Sequence, residues 1–203
     1  MKSIMKTMKA LEKNNMRCHL ADDKDKAREL VMSMIGKDDV VGAGGSLTLD
    51  ECGIRDELRK KGYNFLDWFV KGIDPEEKTR LRKKSLTCDV FLSSTNALTE
   101  QGELYNVDGY GNRVAAMIYG PDKVIIVAGK NKIVKDLNEA RERIETIAGP
   151  ENAKRLHKKT PCVEVGHCVV CDSPDRICCH TSIQEYQREE RIHVIIVNED
   201  LGL

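Results

Sequence analysis

The chain has 203 residues, with 33 Lys+Arg against 33 Asp+Glu, and aromatic residues make up only 4%. The balance excludes a global field favouring nucleic acid or an anionic membrane surface, and so few aromatics leave little surface for stacking bases. The length suits one main domain with a sizeable core.

In chain order, Ile4, Met5, Met8 and Leu11 recur at helical spacing, so residues 1–15 read as an amphipathic helix docked on the domain. This start lacks an apolar h-region with a small-residue cleavage site, and no stretch reaches the apolar length of a membrane span. The expectation is a cytoplasmic protein, in which clustered thiols serve as metal ligands or redox groups before they serve as a disulfide framework.

"RCHLA" (17–21) reads as a short strand, and Ala27, Leu30, Val31, Met34 and Ile35 form a one-faced helix stopping at Gly36. "DDVVGAGGSLTLDECGIRDELRKKG" then reads as strand, glycine-rich turn and a single helix from near Thr48 to Gly62. A charged helix (74–86) leads into the strand "DVFLSST" (89–95), followed by a turn-rich segment (96–113) and the small helix "VAAMI". "KVIIVAG" (123–129) is continuously apolar, as a strand buried on both faces should be. Leu137, Ala140, Ile144, Ile147 and Ala148 form another helical stripe, and 191–203 supplies a last strand. Strands alternating with helices predict an α/β fold with an open, mostly parallel sheet covered on both faces.

Three constellations bear chemistry. The loop "GAGGSLTLDE" (42–51) puts glycines between a strand and a helix, where backbone amides and the helix dipole attract an anion. Gly44, Gly45, Ser46 and Thr48 are its candidate ligand-binding residues. The loop fits neither the Walker pattern nor the full dinucleotide fingerprint, so no nucleotide cofactor is supported. Thr48 and Glu51 have capping-box spacing, which leaves Glu51 open as either a helix cap or a catalytic carboxylate.

The segment 94–113 places Asn96, Glu100, Glu103, Asn106, Asp108, Asn112 and Arg113 directly after a strand, where open α/β sheets build their crevice. Glu100 and Glu103 are candidate acids, bases or nucleophiles, and Arg113 can hold an anion. A solvated hairpin turning at Gly102, Gly109 and Gly111 explains the same residues without chemistry.

"PCVEVGHCVVCDSPDRICC" (161–179) spaces Cys162, Cys168, Cys171 and Cys178 so that four thiolates can close on Zn²⁺ or hold a [4Fe–4S] cluster, with Cys179, His167 and His180 as substitutes. Reduced thiols or a regulatory disulfide remain the alternatives. A cysteine-rich metal-binding segment (160–180) before the last strand is therefore expected.

"GGSLTLDE", the block 94–134 and "NAKRLHKKTPC" with the cysteines after it resemble the LUD-domain family, often labelled lactate-utilisation proteins, over roughly residues 1–200. The resemblance implies a single Rossmann-like domain over 1–203, similar to the ribose-5-phosphate isomerase and CoA-transferase superfamily. It also implies that Gly44–Gly45–Ser46 and the Asn96–Arg113 block meet in one crevice. Some relatives help oxidise lactate to pyruvate within a multi-protein iron–sulfur system, but this chain lacks the ferredoxin-type cysteine runs of the larger ones.

Three readings follow. The first is a component of lactate-type organic-acid oxidation with a cysteine-bound metal centre. The second is a non-redox enzyme on a phosphorylated or CoA-linked small molecule with a structural zinc. The third is a ligand-sensing regulatory module. The partners implied are a small anionic substrate or ligand, redox proteins for the first reading, and a second copy of the chain in a homo-oligomer, with neither nucleic acid nor membrane among them.

Overall fold

A computed structural model describes residues 1–203. In chain order the elements are α1 (Lys2–Lys13), β1 (Arg17–Ala21), α2 (Lys24–Ser33), β2 (Val40–Ala43), α3 (Leu47–Glu51), α4 (Ile54–Lys61), β3 (Asn64–Phe65), α5 (Pro75–Lys84) and β4 (Val90–Ser93). They continue with β5 (Ala97–Thr99), β6 (Leu104–Asp108), α6 (Asn112–Ile118), β7 (Lys123–Gly129), β8 (Ile133–Val134), α7 (Leu137–Arg143) and a π-helical turn (Ile144–Ala148). The chain ends with α8 (Gly149–Arg155), α9 (Pro161–Val165), β9 (His180–Gln184) and β10 (Ile192–Val197).

Six strands form a wholly parallel sheet in the order β1-β10-β7-β4-β2-β3. Alternation along its central strands sends side chains to two cores, as the two-residue period of a strand requires. Ile125 and Val127 of β7 join Ala27, Val31, Leu49, Ile54 and Leu58 beneath α2, α3 and α4. Val124 and Ile126 face the other way, with Ile4 and Leu11 of α1 and Ala116 and Met117 of α6. The expected α/β architecture with helices on both faces is therefore present. No helix is long and apolar enough to cross a membrane.

Two features depart from the sequence reading. The segment 96–113 is neither plain loop nor solvated hairpin: β5 and β6 pair antiparallel inside a second, four-stranded sheet, β8-β5-β6-β9, and Leu98 and Leu104 are fully buried. The helix expected from Thr48 to Gly62 is two helices, separated at Cys52–Gly53, where Gly53 is left-handed (φ 66°). Its cap also differs. Ser46 Oγ accepts from the Leu49 N–H at 3.2 Å, so Ser46 caps α3. Glu51 Oε2 instead accepts the Gly202 N–H at 2.7 Å and ties the chain's last residues to α3.

Candidate functional site

Strands β2, β4 and β7 run in the same direction, so the segments leaving their carboxyl ends gather on one side of the sheet, the usual ligand position in open α/β folds. A cavity of about 550 Å³ opens there. Gly45 and Ser46 come to it from the β2–α3 loop, Ser94, Thr95 and Asn96 from the end of β4, and Asp108, Gly109, Tyr110, Asn112 and Arg113 from the β6–α6 connection. Lys132 enters from just beyond β7, Trp68, Lys78 and Arg82 from the side of α5, and Asn152, Arg155 and Lys158 from α8 and its continuation. The structure thus brings the glycine-rich loop and the 96–113 block to one crevice.

Arg113 organises the far wall. Its Nε donates to Asp108 Oδ2 at 3.0 Å, Nη1 to the Ser94 carbonyl at 3.0 Å and Asn106 Oδ1 at 2.7 Å, and Nη2 to Asn96 Oδ1 at 3.1 Å and the Val107 carbonyl at 3.0 Å. These bonds take all five guanidinium N–H groups, so Arg113 has no donor left for a ligand. Burial pushes its basicity down, opposed by the Asp108 charge. Asn96, Asn106 and Asp108 are thereby committed to holding the wall together. Asn106 is fully buried, and Asn112 lines the cavity. Gly44 lies behind the lining, where a Cβ would come within 2.8 Å of Arg113 Cγ; close packing against the arginine, rather than a ligand, accounts for that glycine.

The carboxylates expected to be catalytic stand elsewhere. Glu100 accepts from Ser3 Oγ and Lys6 Nζ of the N-terminal helix region, both at 2.6 Å, and these bonds, Lys6 first, hold its carboxyl below the usual range. Glu103 Oε2 accepts from its neighbour Thr99 Oγ1 at 2.6 Å. Glu51 binds the Gly202 amide. None of the three lines the cavity.

The electrostatics of the cavity come from residues absent from the sequence reading. Lys78, Arg82, Lys132, Arg155 and Lys158 join Arg113, and the one carboxylate side chain among them, Asp108, is already bonded to Arg113. Arg82 is held between two aromatic rings, its guanidinium carbon 4.3 Å from the Trp68 centroid and 4.9 Å from that of Tyr110. Trp68 is fixed by its Nε1–H donating to the Ala43 carbonyl at 2.9 Å. Lys132, only 4% exposed, donates from Nζ to Thr48 Oγ1 and Ser94 Oγ at 3.0 Å each, which gives Thr48 a place beneath the cavity floor. Lys78 and Arg82 carried a legible signal, an i, i+4 pair on one face of the charged helix. Lys132 carried only its position directly after a buried strand.

The cysteine-rich segment borders the cavity. Ile177 lines it, the Cys179 N–H donates to the Asp108 carbonyl at 3.0 Å, and the Cys168 N–H donates to the Glu145 carbonyl of the π-helical turn at 2.6 Å. All eight cysteines are free thiols. Partial burial, followed by the Cys168 and Cys162 charges, pushes the Cys178 thiol up. Desolvation, Glu145, Cys162 and Cys171 do the same to Cys168. The four thiols are chemically suited to a soft metal. Their arrangement does not complete a site, since no three Cys, His, Asp or Glu side chains are placed to hold a metal ion.

Comparison with known proteins gives a family and likenesses to solved structures. The model of the LUD domain matches residues 4–197. A crystal structure of a DUF162 family protein from Deinococcus radiodurans superposes with a TM-score of 0.54 at 12% identity, covering 97% of each chain. Ribose-5-phosphate isomerase A from Methanocaldococcus jannaschii aligns at 14% identity with a TM-score of 0.37, over 79% of this chain and 78% of that one. No curated protein matches.

Proposed function

The chain belongs to the LUD-domain family, and on that premise we propose that its crevice takes up a small polyanion, a phosphorylated or CoA-linked molecule. One observation carries this reading: besides Arg113, which neutralises the one carboxylate side chain of the lining, Asp108, five basic side chains line the cavity, and of these only Lys158 has a carboxylate partner, Asp175. Lys78, Arg82 and Arg155 have no carboxylate within ion-pair distance, so their charge is available to a ligand. In a partly enclosed site such charges are screened less than on an open surface. The two rings flanking Arg82 hold its guanidinium without neutralising it, and Gly45 and Ser46 of the glycine-rich loop line the same cavity.

Thermal unfolding in inorganic phosphate or pyrophosphate tests the reading. Wild type should be stabilised by about 2.7 kcal/mol at a hundredfold excess of anion over Kd, and Arg82→Ala and Arg155→Ala should lose most of that gain. A melting temperature indifferent to both anions would overturn it.

A second reading, lactate-type organic-acid oxidation with a cysteine-held metal, is supported by the sequence spacing of Cys162, Cys168, Cys171 and Cys178 and by the segment's attachment to the cavity wall through Cys179. Closing these thiols around zinc would anchor the wall, and an iron–sulfur cluster there would supply one-electron chemistry.

A further inference from the structure

We propose that Lys132 is a nucleophilic amine serving this cavity, one that condenses with the carbonyl carbon of a phosphorylated aldehyde or ketone; the inference rests on the polyanion reading above. Lys132 lines the cavity, is almost wholly buried, and has no carboxylate partner within ion-pair distance. Its two polar neighbours are hydroxyls. Thr48 Oγ1 directs its own hydrogen to the Leu201 carbonyl at 3.5 Å, and Ser94 Oγ has the Thr95 carbonyl and Thr48 Oγ1 at 3.4 Å, so both oxygens can accept from Nζ. A neutral amine has two N–H groups and one lone pair. The two hydroxyls take both N–H groups and leave the lone pair uncommitted.

The surroundings favour that neutral form. Burial, then the Arg143 and Arg113 charges, bring the Lys132 amine down to about 7, against the opposing pull of Glu51 and Cys52. These four groups stand at the end of α7, on α6, on α3 and just after α3. A surface lysine is almost wholly protonated at neutral pH and a poor nucleophile; one desolvated among cations is available.

In the step inferred, the Nζ lone pair forms a bond to the carbonyl carbon while the C=O π pair moves to oxygen. Transfer of one proton from nitrogen to that oxygen gives a carbinolamine. Loss of its hydroxyl as water, with uptake of a proton, leaves a protonated imine. Amine, carbonyl and proton thus become iminium and water, with no oxidant or reductant. The basic side chains of α5 and α8 would hold the phosphate while the carbonyl end meets Lys132.

Pyridoxal 5′-phosphate, a phosphorylated aldehyde, is the probe: wild-type protein is incubated with it, reduced with borohydride and mapped by peptide mass. The expected result is a single adduct at Lys132, forming faster as pH rises through 7 and suppressed by inorganic phosphate. Lys132→Arg, or Lys132→Met where the arginine variant does not fold, should lose the adduct yet still be stabilised by phosphate. Adducts scattered over other lysines, with Lys132 unlabelled and phosphate still binding, would overturn the imine and leave the polyanion reading standing. Absence of phosphate binding to wild type would overturn both.

Discussion

A buried amine without a counter-ion makes stability depend on pH in a definite direction. Between about 7 and 10.5 the unfolded chain protonates Lys132 and the folded chain does not. The unfolded state therefore binds the extra proton, and stability falls as pH drops through that window. Lys132→Met should remove this contribution. Urea unfolding should find the variant more stable than wild type at pH 7, with the gap shrinking by about 1.4 kcal/mol per unit toward pH 10. A gap independent of pH would show that the amine is not held neutral. This residue was illegible in "GKNKIV", because what singles it out is contact with Thr48 and Ser94, remote in sequence. Arg113 was legible from the density of polar residues around it, but its role was not. Only the geometry shows its donors spent on Asp108, Asn96, Asn106 and two carbonyls.

Helix α1 is fastened to the second sheet by a close backbone approach. Gly102, left-handed at the turn between β5 and β6, would place a Cβ 2.7 Å from Ala10 C and Leu11 N, while Asn14 Nδ2 donates to the Gln101 and Gly102 carbonyls at 2.8 and 3.1 Å. Gly62, also left-handed, has nothing within 4 Å of such a Cβ. Gly62→Ala should therefore cost only the conformational penalty, about 1–2 kcal/mol by urea unfolding. Gly102→Ala should cost more and loosen α1 enough for trypsin to cleave its backbone at the already exposed lysines. Equal costs would mean that the approach of α1 is slack. Long periodic elements such as α1, α2, β7 and β10 were legible because period and burial agree. The α3–α4 break was missed because apolar spacing continues through Cys52 and Ile54, which hides a left-handed glycine. The second sheet was missed because its strands are short, and "HTSIQ" looks polar until β9 pairs with β6.

Across the whole molecule, the cysteine segment joins the π-helical turn to the β6–α6 connection, so its state bears on a cavity wall. Anaerobic purification with elemental analysis and a visible spectrum should find zinc or iron bound to wild type and lost from Cys171→Ser. Brown, iron-containing protein would favour the oxidative reading, and colourless zinc protein would sink its electron-transfer version. Metal-free wild type would overturn the metal altogether.

Strand order has a further consequence. β10 sits between β1 and β7, with Arg17 opposite His193 and Ile192 opposite Val124, so the first and seventh strands never touch. On the ribosome, β1 waits with its pairing edge open and β7 with one edge unsatisfied until residues 192–197 emerge. Completing the sheet therefore depends on pairing very remote in sequence. The interval before it is when these edges are most exposed to neighbouring chains and to chaperones.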